Sequence, residues 1–374
     1  MITVVTVVGA RPQFVKAAPV SRALRARATE VLVHTGQHYD AAMSDVFFAE
    51  LDLPQPDVNL GIGSGPHGRQ TGAMLAAIEA VLVASRPAWL LVYGDTNSTL
   101  AGALAAVKLG IPVAHVEAGL RSFNWAMPEE HNRRLTDHCA SLLFCPTQTA
   151  VANLRREGID NGVHLVGDVM FDAVRHFGER AAAPDRRRAL GIDTGPYALL
   201  TVHRPANADD PRRLRAILDG AARLDMPVVF PVHPRTREAL AALDHPAVHL
   251  DTPADDPAAP QSGDAQRPIR CRPPVGYLDM LALESNARVI LTDSGGVQKE
   301  AYFCGVPCVT LRAETEWVET LDDGWNVLAD ADPVRIAAAA RRPLPSARPA
   351  PVFGDGHAAV RIVDALLGAP HAER

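Results

Sequence analysis

The feature of this chain that most constrains its fold is the alternation of short apolar runs with amphipathic helical patterns. The apolar runs have the length and β-branched content of buried parallel strands. They fall in two series, at 2–8, 31–36, 89–93, 112–116, 141–145 and 163–166, and then at 197–202, 228–232, 247–250, 288–293 and 307–311. Strands separated by helices predict doubly wound parallel sheets. The sequence therefore predicts an α/β protein with two Rossmann-like domains that face each other across a cleft.

The break between the two series, near 167–170, predicts where the domains meet. We expect an N-terminal domain at 1–170, a second domain at 171–354 that starts with a connecting helix, and a helix within 355–374 that can return to the first domain. Residues 252–270 are rich in Pro, Ala and Asp and predict a surface loop. This loop is either an insertion or a lid beside the cleft.

The composition narrows the class of protein. With 374 residues, 47% hydrophobic content and a net charge of −6 at pH 7, the chain lacks the basic runs of general nucleic-acid or membrane binders. Its five cysteines are odd in number and show no metal-binding spacing. The first strand has no charged leader before it, and charged residues interrupt the longest apolar stretches. We therefore expect reduced cysteines, no metal, no membrane span and a cytoplasmic location.

The segment 288–300 (RVILTDSGGVQKE) carries the strongest local signal for a ligand. A buried strand runs into a Ser-Gly-Gly turn that opens a helix, and glycine lets a ligand approach the backbone closely. The N–H groups of residues 294–297 would point at an anion, with the helix dipole behind them. Glu300 lies about one turn further on, where its carboxylate can accept hydrogen bonds from two ribose hydroxyls. The alternative is a strand–turn–helix corner in which the glycines serve packing alone.

The start of the chain predicts a second contact with an anionic ligand. The strand at 2–8 is followed by the sequence GARPQFVK at 9–16, in which Pro12 suits the first turn of a helix. Arg11 and Lys16 would lie at the N-terminus of this helix, at the carboxyl edge of the sheet where open α/β sheets bind ligands. Cations there oppose the helix dipole, and an anionic ligand would compensate them.

Three carboxylates are candidates for acid/base chemistry. Asp95 follows one strand and is either the N-cap of the next helix or a catalytic group. Glu117 follows the next strand, where no capping role is available, and Arg121 is a plausible partner for it. Glu129 lies in a Pro-Glu-Glu helix start, where acidic residues are favourable for dipole reasons alone. Their convergence on one cleft would favour a catalytic site.

The second domain places a His-Arg pair after two successive strands. His203 and Arg204 follow its first strand, and His233 and Arg235 follow the second. A single histidine at such a position is more often structural. Two such pairs suit a pyrophosphate that receives bidentate contacts from arginine.

Nine motifs in order resemble one known family over essentially the whole chain: GARPQFVK, HTGQHYD, VYGDTNSTL, HVEAGLRS, MPEEHNR, TVHRP, PVHPRT, GYLDM and TDSGGVQKEA. They are similar to the non-hydrolysing UDP-N-acetylglucosamine (UDP-GlcNAc) 2-epimerases, a family of the GT-B fold. The resemblance implies reversible inversion at C2 to give UDP-N-acetylmannosamine (UDP-ManNAc), through elimination of UDP to a 2-acetamidoglucal and re-addition. It also implies a homodimer. No GxGxxG follows the first strand, so a nicotinamide route is disfavoured and no cofactor is expected.

The resemblance also assigns site residues. It implies catalytic roles for Asp95, Glu117, Glu129 and His203. It implies UDP-sugar binding by Arg11, Lys16, Arg133, Arg204, His233, Arg235, Tyr277, Ser294, Gly295, Gly296, Glu300 and Arg312, with Tyr277 beside the uracil. Gln37 and Arg69 match the motif of a second, activating substrate site, but Asp40 replaces another glutamine of that motif, which leaves activation open.

The sequence leaves the substrate open. Ala206 stands where many relatives have Glu, and Glu316-Trp317-Val318-Glu319 replaces Glu-Arg-Pro-Glu. With HTGQHYD, this pattern resembles the subgroup that includes epimerases of UDP-2,3-diacetamido-glucuronate. UDP-GlcNAc is the leading prediction, and a modified UDP-sugar is the alternative. A UDP-sugar-dependent glycosyltransferase, a UDP-sugar sensor and a hydrolysing epimerase fit the carboxylates less well.

Overall fold

A computed structural model describes residues 1–37, 47–192, 195–250 and 269–369. The chain forms two compact units. Unit 1 comprises residues 1–176 and 351–374, and unit 2 comprises residues 177–350. The boundaries thus lie at 176/177 and 350/351, where the sequence predicted 170/171 and 354/355.

Unit 1 contains a seven-stranded parallel sheet. Its strands are β1 (Thr3–Val8), β2 (Thr29–His34), β3 (Val58–Asn59), β4 (Trp89–Tyr93), β5 (Val113–Val116), β6 (Leu142–Cys145) and β7 (Val163–Leu165). They lie in the order β3-β2-β1-β4-β5-β6-β7. The helices that lie entirely within the described residues before the boundary, together with α6 that crosses it, are α1 (Arg11–Arg25), α2 (His67–Ser85), α3 (Asn97–Lys108), α4 (Pro128–Cys139), α5 (Gln148–Arg156) and α6 (Val169–Ala181).

Unit 2 contains a second seven-stranded parallel sheet. Its strands are β8 (Ala198–Thr201), β9 (Val228–Pro231), β10 (Val248–Leu250), β11 (Ile269–Arg272), β12 (Val289–Thr292), β13 (Cys308–Thr310) and β14 (Asn326–Leu328), in the order β10-β11-β9-β8-β12-β13-β14. Its helices are α7 (Pro184–Ala189), α8 (Pro205–Ala208), α9 (Pro211–Ala221), α10 (Pro234–Leu243), α11 (Tyr277–Asn286), α12 (Gly295–Cys304), α13 (Glu319–Asp322) and α14 (Pro333–Ala340). The last helix, α15 (Ala358–Gly368), belongs to unit 1 and packs on α1.

Alternation of side chains along β1 shows why helices cover both faces of the first sheet. Val5 and Val7 are buried in a cluster with residues of α2 and α3. Thr6 points to the opposite face and donates a hydrogen bond to Glu30, which also contacts Ser21 of α1. Because successive side chains of a strand point to opposite faces, one apolar strand supplies both layers. The two doubly wound parallel sheets confirm the predicted α/β class.

The strand orders identify where each unit can bind a ligand. In unit 1 the order of connections reverses between β1 and β4, and in unit 2 it reverses between β8 and β12. Open α/β sheets bind ligands in the crevice at the carboxyl ends of the strands on either side of such a reversal. The loops and helix starts that follow β1, β4, β8 and β12 contain Arg11, Asp95, the His203-Arg204 pair and the Ser-Gly-Gly turn.

Three short strands escaped the sequence prediction, namely β3, β11 and β14. They have between two and four residues and carry polar side chains, so their pattern is too short to distinguish from a loop. The predicted loop at 252–270 is wrong at its end, because Ile269 and Arg270 belong to β11. Residues 251–268 lie outside the described part of the chain.

The structure also shows the state of the cysteines and the character of the helices. All five cysteines lie in the described ranges and are free thiols: Cys139, Cys145, Cys271, Cys304 and Cys308. Burial raises the pKa of the Cys308 thiol to about 12. Within the described ranges, no helix combines the length and the apolar character that crossing a membrane requires.

Candidate active site

The loop after β4 shows whether Asp95 caps the following helix, as the sequence allowed. Thr96 is the N-cap of α3, and its side chain accepts a hydrogen bond from the N–H of Thr99. Asp95 instead forms an ion pair with Arg133 of α4, with 2.7 Å between Nη2 and Oδ2. Asn132 donates a further hydrogen bond to the backbone carbonyl of Asp95. The carboxylate of Asp95 is therefore held by α4 and has no capping role.

Glu117 follows β5 in a left-handed backbone conformation, with φ of 70°. Its carboxylate pairs with Lys16 of α1, and both side chains are nearly buried. The expectation that Arg121 would be its partner is wrong. Arg121 pairs with Asp137 at 2.7 Å and with Glu157 at 2.6 Å. A lysine from α1, and not the arginine four residues further on, is therefore the partner of Glu117.

Gly94 brings the two ion pairs into one place. Its φ of 61° favours glycine. A Cβ atom on this residue would lie 3.1 Å from Nζ of Lys16 and 3.2 Å from Oε2 of Glu117. The Lys16–Glu117 pair is thus in contact with the residue that immediately precedes Asp95. Two carboxylates, each paired with a cation, share the carboxyl edge of the sheet at the β1/β4 reversal.

Gln13 is a structural element of this edge that sequence reasoning missed. Its Oε1 accepts hydrogen bonds from the N–H groups of Gly9 and Ala10, at 2.8 and 3.1 Å. Its Nε2 donates to the carbonyl of Tyr93 and to the hydroxyl of Thr99, at 2.9 and 3.0 Å. One amide therefore ties the loop after β1 to the loop after β4. The position of Gln13 inside GARPQ was the available signal.

The two glutamates at the start of α4 lie in different environments. Glu130 is fully buried and accepts hydrogen bonds from Ser122 and from Arg133 and Arg134. Burial alone would raise the pKa of Glu130, but the hydrogen bonds of Ser122 and the charge of Arg133 outweigh it and hold the pKa below its ordinary value. Glu129 is partly exposed, in the first turn of α4. It precedes Arg133 by four residues and so shares the helix face that reaches Asp95.

The Ser-Gly-Gly turn in unit 2 provides fewer free donors than the sequence predicted. Ser294 is the N-cap of α12 and accepts from the N–H of Val297, while its own N–H donates to Thr292. This leaves the N–H groups of Gly295 and Gly296 with no acceptor among the residues that the structure describes. Two donors at a helix N-terminus, instead of four, can point at an anion.

Neighbouring side chains leave no room for a Cβ atom at position 295. A Cβ atom at this position would lie 2.6 Å from Oε1 of Glu316 and 3.0 Å from Nε1 of Trp317. The Trp317 ring in turn lies under Lys299, with Nζ 3.8 Å from the ring centroid. Trp317, which departs from the Glu-Arg-Pro-Glu pattern, therefore packs directly on the Ser-Gly-Gly turn.

Two arginines meet at Glu316. Arg312 lies 2.9 Å from Oε2 of Glu316, and Arg204 lies 3.5 Å from Oε1. Arg312 and Glu316 are buried, and Arg204 is partly exposed. Glu316 thus places two guanidinium groups beside the N-terminus of α12. Both groups have the planar donor geometry that suits a diphosphate.

Asp293 orients the loop that carries His203, which sequence reasoning did not anticipate. The buried carboxylate of Asp293 accepts hydrogen bonds from the backbone N–H groups of His203 and Arg204, at 3.2 and 3.1 Å. It also accepts from Asn207, and Nδ1 of His203 lies 3.3 Å from Oδ1. The His203 side chain itself is 47% exposed. Asp293 precedes the Ser-Gly-Gly turn, so one carboxylate joins the β8 and β12 loops.

Tyr277 and Glu300 lie in the interior of unit 2. Tyr277 begins α11 and packs edge-to-face on Phe177, with ring centroids 5.9 Å apart. Burial, followed by the charge of Glu300, raises the pKa of Tyr277 above its ordinary value. Glu284 is fully buried nearby, and burial with the charge of Glu300 raises its pKa strongly. Glu284 was not predicted as part of this cluster.

The other predicted contacts lie at the ends of strands or helices. Arg11 is the first residue of α1 and lies over the ring of Phe47 at 5.6 Å. His233 is exposed after β9. The side chain of Arg235 lies outside the described residues.

Gln37 and Arg69, the residues of the expected activating site, occupy different environments. The Gln37 side chain accepts hydrogen bonds from the N–H and hydroxyl of Ser98, at 3.1 and 2.7 Å. Arg69 is exposed in the first turn of α2. Gln37 therefore already has a structural role at the N-terminus of α3.

A comparison with known proteins decides the family. A family model described as UDP-N-acetylglucosamine 2-epimerase matches residues 22–367. This chain belongs to that family. UDP-N-acetylglucosamine 2-epimerases are isomerases, so the comparison confirms the predicted family and enzyme class.

Individual members of the epimerase family match over nearly their full lengths. The chain is 48% identical over 368 residues to a UDP-N-acetylglucosamine 2-epimerase homolog of Methanococcus maripaludis, covering 97% of this chain and 99% of that protein. It is 46% identical over 373 residues to the UDP-2,3-diacetamido-2,3-dideoxy-D-glucuronate 2-epimerase of Pseudomonas aeruginosa, with the same coverage of 97% and 99%. The crystal structure of Methanocaldococcus jannaschii UDP-GlcNAc 2-epimerase, in complex with UDP-GlcNAc and UDP, matches with a TM-score of 0.87 and 41% identity over 98% of this chain and 100% of that one. These matches confirm the predicted GT-B fold class.

Proposed function

We propose that this enzyme inverts C2 of a UDP-N-acetylhexosamine without hydrolysis and so interconverts UDP-GlcNAc and UDP-ManNAc. The observation that carries this proposal is the pair of cation-bound carboxylates, Asp95 with Arg133 and Glu117 with Lys16, on one edge of the unit 1 sheet. Paired carboxylates at a topological switch point suit proton transfer to and from a bound sugar.

The chemistry of C2 explains why two such groups are needed. The C2 proton is not acidic, but positive charge grows at C1 as the C1–O bond to UDP stretches, and the neighbouring proton becomes removable. Loss of the proton and of UDP leaves a C1–C2 double bond, the 2-acetamidoglucal. Re-addition of UDP at C1, with a proton delivered to the opposite face of C2, gives the epimer. Each acid/base group contributes roughly 10²–10⁴ in rate.

We assign these proton transfers to Asp95 and Glu117, with Glu129 of unit 1 and His203 of unit 2 as further candidate groups. Arg133 and Lys16 fix the orientation of the two carboxylates and balance their charge. Opposite faces of C2 require two differently placed groups, which one histidine cannot supply.

Departure of UDP requires donors for its diphosphate. We assign this role to the N–H groups of Gly295 and Gly296 and to the guanidinium groups of Arg204 and Arg312. A well-placed donor contributes roughly 3–4 kcal/mol to a developing anion, by comparison with oxyanion holes. Arg11, His233 and Arg235 are further candidates for the diphosphate. The proposed nucleoside contacts are Glu300 with the ribose, Tyr277 with the uracil and Ser294 with the adjacent phosphate.

A second candidate substrate is UDP-2,3-diacetamido-2,3-dideoxy-D-glucuronate. The 46% identity to the Pseudomonas aeruginosa enzyme of that name favours it, as does Trp317 in place of arginine beside the Ser-Gly-Gly turn. Both candidates share the UDP group and the C2 centre, so the same acid/base groups serve either reaction.

Proton NMR of the purified protein with UDP-GlcNAc in D₂O, without added cofactor, tests the proposal. We expect loss of the C2 proton signal together with growth of a manno-configured UDP-sugar. The diacetamido-glucuronate is the parallel substrate, and a faster reaction there would identify the second candidate as the substrate. Absence of C2 exchange with both UDP-sugars would refute the proposed function.

We also propose a homodimer in the cytoplasm. The five free thiols favour a reducing compartment. Light scattering coupled to size exclusion should give twice the 40.0 kDa chain mass. A monomer mass at all concentrations would contradict the homodimer.

A further inference from the structure

His115 contacts the backbone of Gly94, the residue before the candidate acid/base group Asp95, and no catalytic or binding role has been assigned to it. It is on β5 and is fully buried. Both of its ring nitrogens face an acceptor. Nδ1 lies 2.8 Å from Oδ1 of Asp137, and Nε2 lies 2.7 Å from the backbone carbonyl oxygen of Gly94. Because a carbonyl oxygen can only accept, the hydrogen bond to Gly94 comes from Nε2–H.

Asp137 fixes the orientation of the ring. Its carboxylate also receives hydrogen bonds from the guanidinium of Arg121, at 2.7 Å, and from the N–H of Gly119, at 3.2 Å. Burial alone would raise the pKa of Asp137, but the hydrogen bond and charge of His115, followed by the charge of Arg121, outweigh it and lower the pKa below its ordinary value. Arg121 is anchored in turn by Glu157. The ring is therefore held from behind by a chain of charged groups.

Gly94 is held on both sides by β5. Its N–H donates to the carbonyl of Val116 at 2.9 Å, and its own carbonyl accepts from His115. This peptide precedes Asp95, and the left-handed conformation of Gly94 places it against the Lys16–Glu117 pair. A shift of the Gly94 carbonyl would move Asp95 relative to Glu117.

We propose that His115, oriented by Asp137, is a positioning residue that holds the Gly94 carbonyl and thereby sets the spacing between Asp95 and Glu117. The inference rests on the proposed function, because the spacing matters if these carboxylates exchange protons with C2. A misplacement of about 1 Å at a reacting centre can lower the rate roughly 10²-fold.

Two amide substitutions of His115 separate this role from simple packing. The amide of His115→Gln can reach the position of Nε2 and donate to Gly94, whereas that of His115→Asn reaches only the position of Nδ1, beside Asp137. We expect kcat to fall about 10²-fold in His115→Asn and by less than about 5-fold in His115→Gln, with KM within about 3-fold in both. His164→Asn is the matched control, because His164 is a partly buried histidine on β7 of the same sheet. It should leave kcat within about 2-fold.

Equal losses of kcat in the two variants, or a loss confined to KM, would overturn the proposal. Amide hydrogen exchange provides a readout that does not depend on activity. In His115→Asn, the peptide that contains residues 93–96 should exchange faster than in the wild type, while the β6 peptide keeps its protection. Unchanged exchange at 93–96 would also overturn the positioning role. A wild-type protein without C2 exchange would refute the proposed function separately, and the exchange data would still decide whether His115 holds Gly94.

Discussion

Both units contain a seven-stranded parallel sheet with one reversal of strand order, but the carboxyl edges of the two sheets carry different groups. In unit 1 the edge carries side-chain ion pairs, Asp95 with Arg133 and Glu117 with Lys16. In unit 2 the edge carries a helix N-terminus and two arginines gathered by a single carboxylate, Glu316. Proton transfer needs charged groups at fixed positions, whereas binding of a leaving diphosphate needs several donors around it. The difference is consistent with the division of labour that we propose, with proton transfer at the unit 1 edge and diphosphate binding at the unit 2 edge.

A network of ion pairs lies behind the unit 1 edge. Asp137, Arg121 and Glu157 form a continuous buried or partly buried network. Breaking a buried pair by removal of one partner costs about 3–5 kcal/mol, because the remaining charge is left uncompensated. Such a network tolerates few alternative arrangements, which suits an edge whose carboxylates must keep their positions.

The strongest test of this division is to neutralise one carboxylate of unit 1. Glu117→Gln should lower kcat by roughly 10²–10⁴ and abolish most C2 proton exchange, while the dissociation constant of UDP changes little. Rates come from NMR in D₂O, and UDP affinity comes from calorimetry. The matched control is Asp160→Asn, at an exposed carboxylate of the same unit. A large loss of UDP affinity in Glu117→Gln would show that the division between the edges is wrong.

An intermediate effect is expected at the Ser-Gly-Gly turn. Gly295→Ala places a Cβ atom 2.6 Å from Oε1 of Glu316 and should weaken UDP binding about 10-fold, or about 1.4 kcal/mol. Gly178→Ala is the control, because a Cβ atom there meets nothing within 4 Å. Calorimetric titration with UDP compares the two variants. Equal affinities would mean that the turn does not bind the nucleotide.

The smallest effect concerns acid stability of unit 1. The folded pKa of Glu130 lies below its ordinary value of 4.5, so the carboxylate contributes stability above that pH and loses it as pH falls through the folded pKa. Glu130→Gln should therefore lower the melting temperature most above about pH 5, and the difference from the wild type should shrink toward pH 3. The expected loss is about 0.5–1 kcal/mol, within the net range of an ordinary hydrogen bond, because the amide oxygen of glutamine can keep part of these contacts. A difference that grows on acidification would contradict the assigned direction of the pKa.

Much of the candidate site was predictable because it follows strand ends. Asp95 and Glu117 in unit 1, and His203 and the Ser-Gly-Gly turn in unit 2, all come directly after apolar runs, and each parallel sheet brings such positions to its own carboxyl edge. The strand β11 was missed although its residues alternate in polarity, because a four-residue pattern beside a Pro-rich segment is too short to outweigh the loop signal.

The sequence did not predict which residues pair with the candidate carboxylates or cap the following helix. The sequence favoured Arg121 as the partner of Glu117 because it is near in the chain, but Lys16, 101 residues away in the sequence, occupies that place. Likewise, the sequence allowed Asp95 as a helix cap, and Thr96 has that role. Gln13, Asp293 and His115 were not anticipated as organising residues, since their hydrogen bonds join segments distant in the chain.

By itself, the sequence determined the α/β class, the order of the elements and the presence of a family-specific set of carboxylates and glycines. These depend on periodicity, local turns and residue identity, which are properties of neighbouring positions. Tertiary structure alone decided which cation meets which carboxylate, which two of the four N–H groups at the turn remain free, and how His115 reaches Gly94. These contacts join residues brought together only when the sheets form, because ion pairs and hydrogen bonds require atoms within about 3 Å.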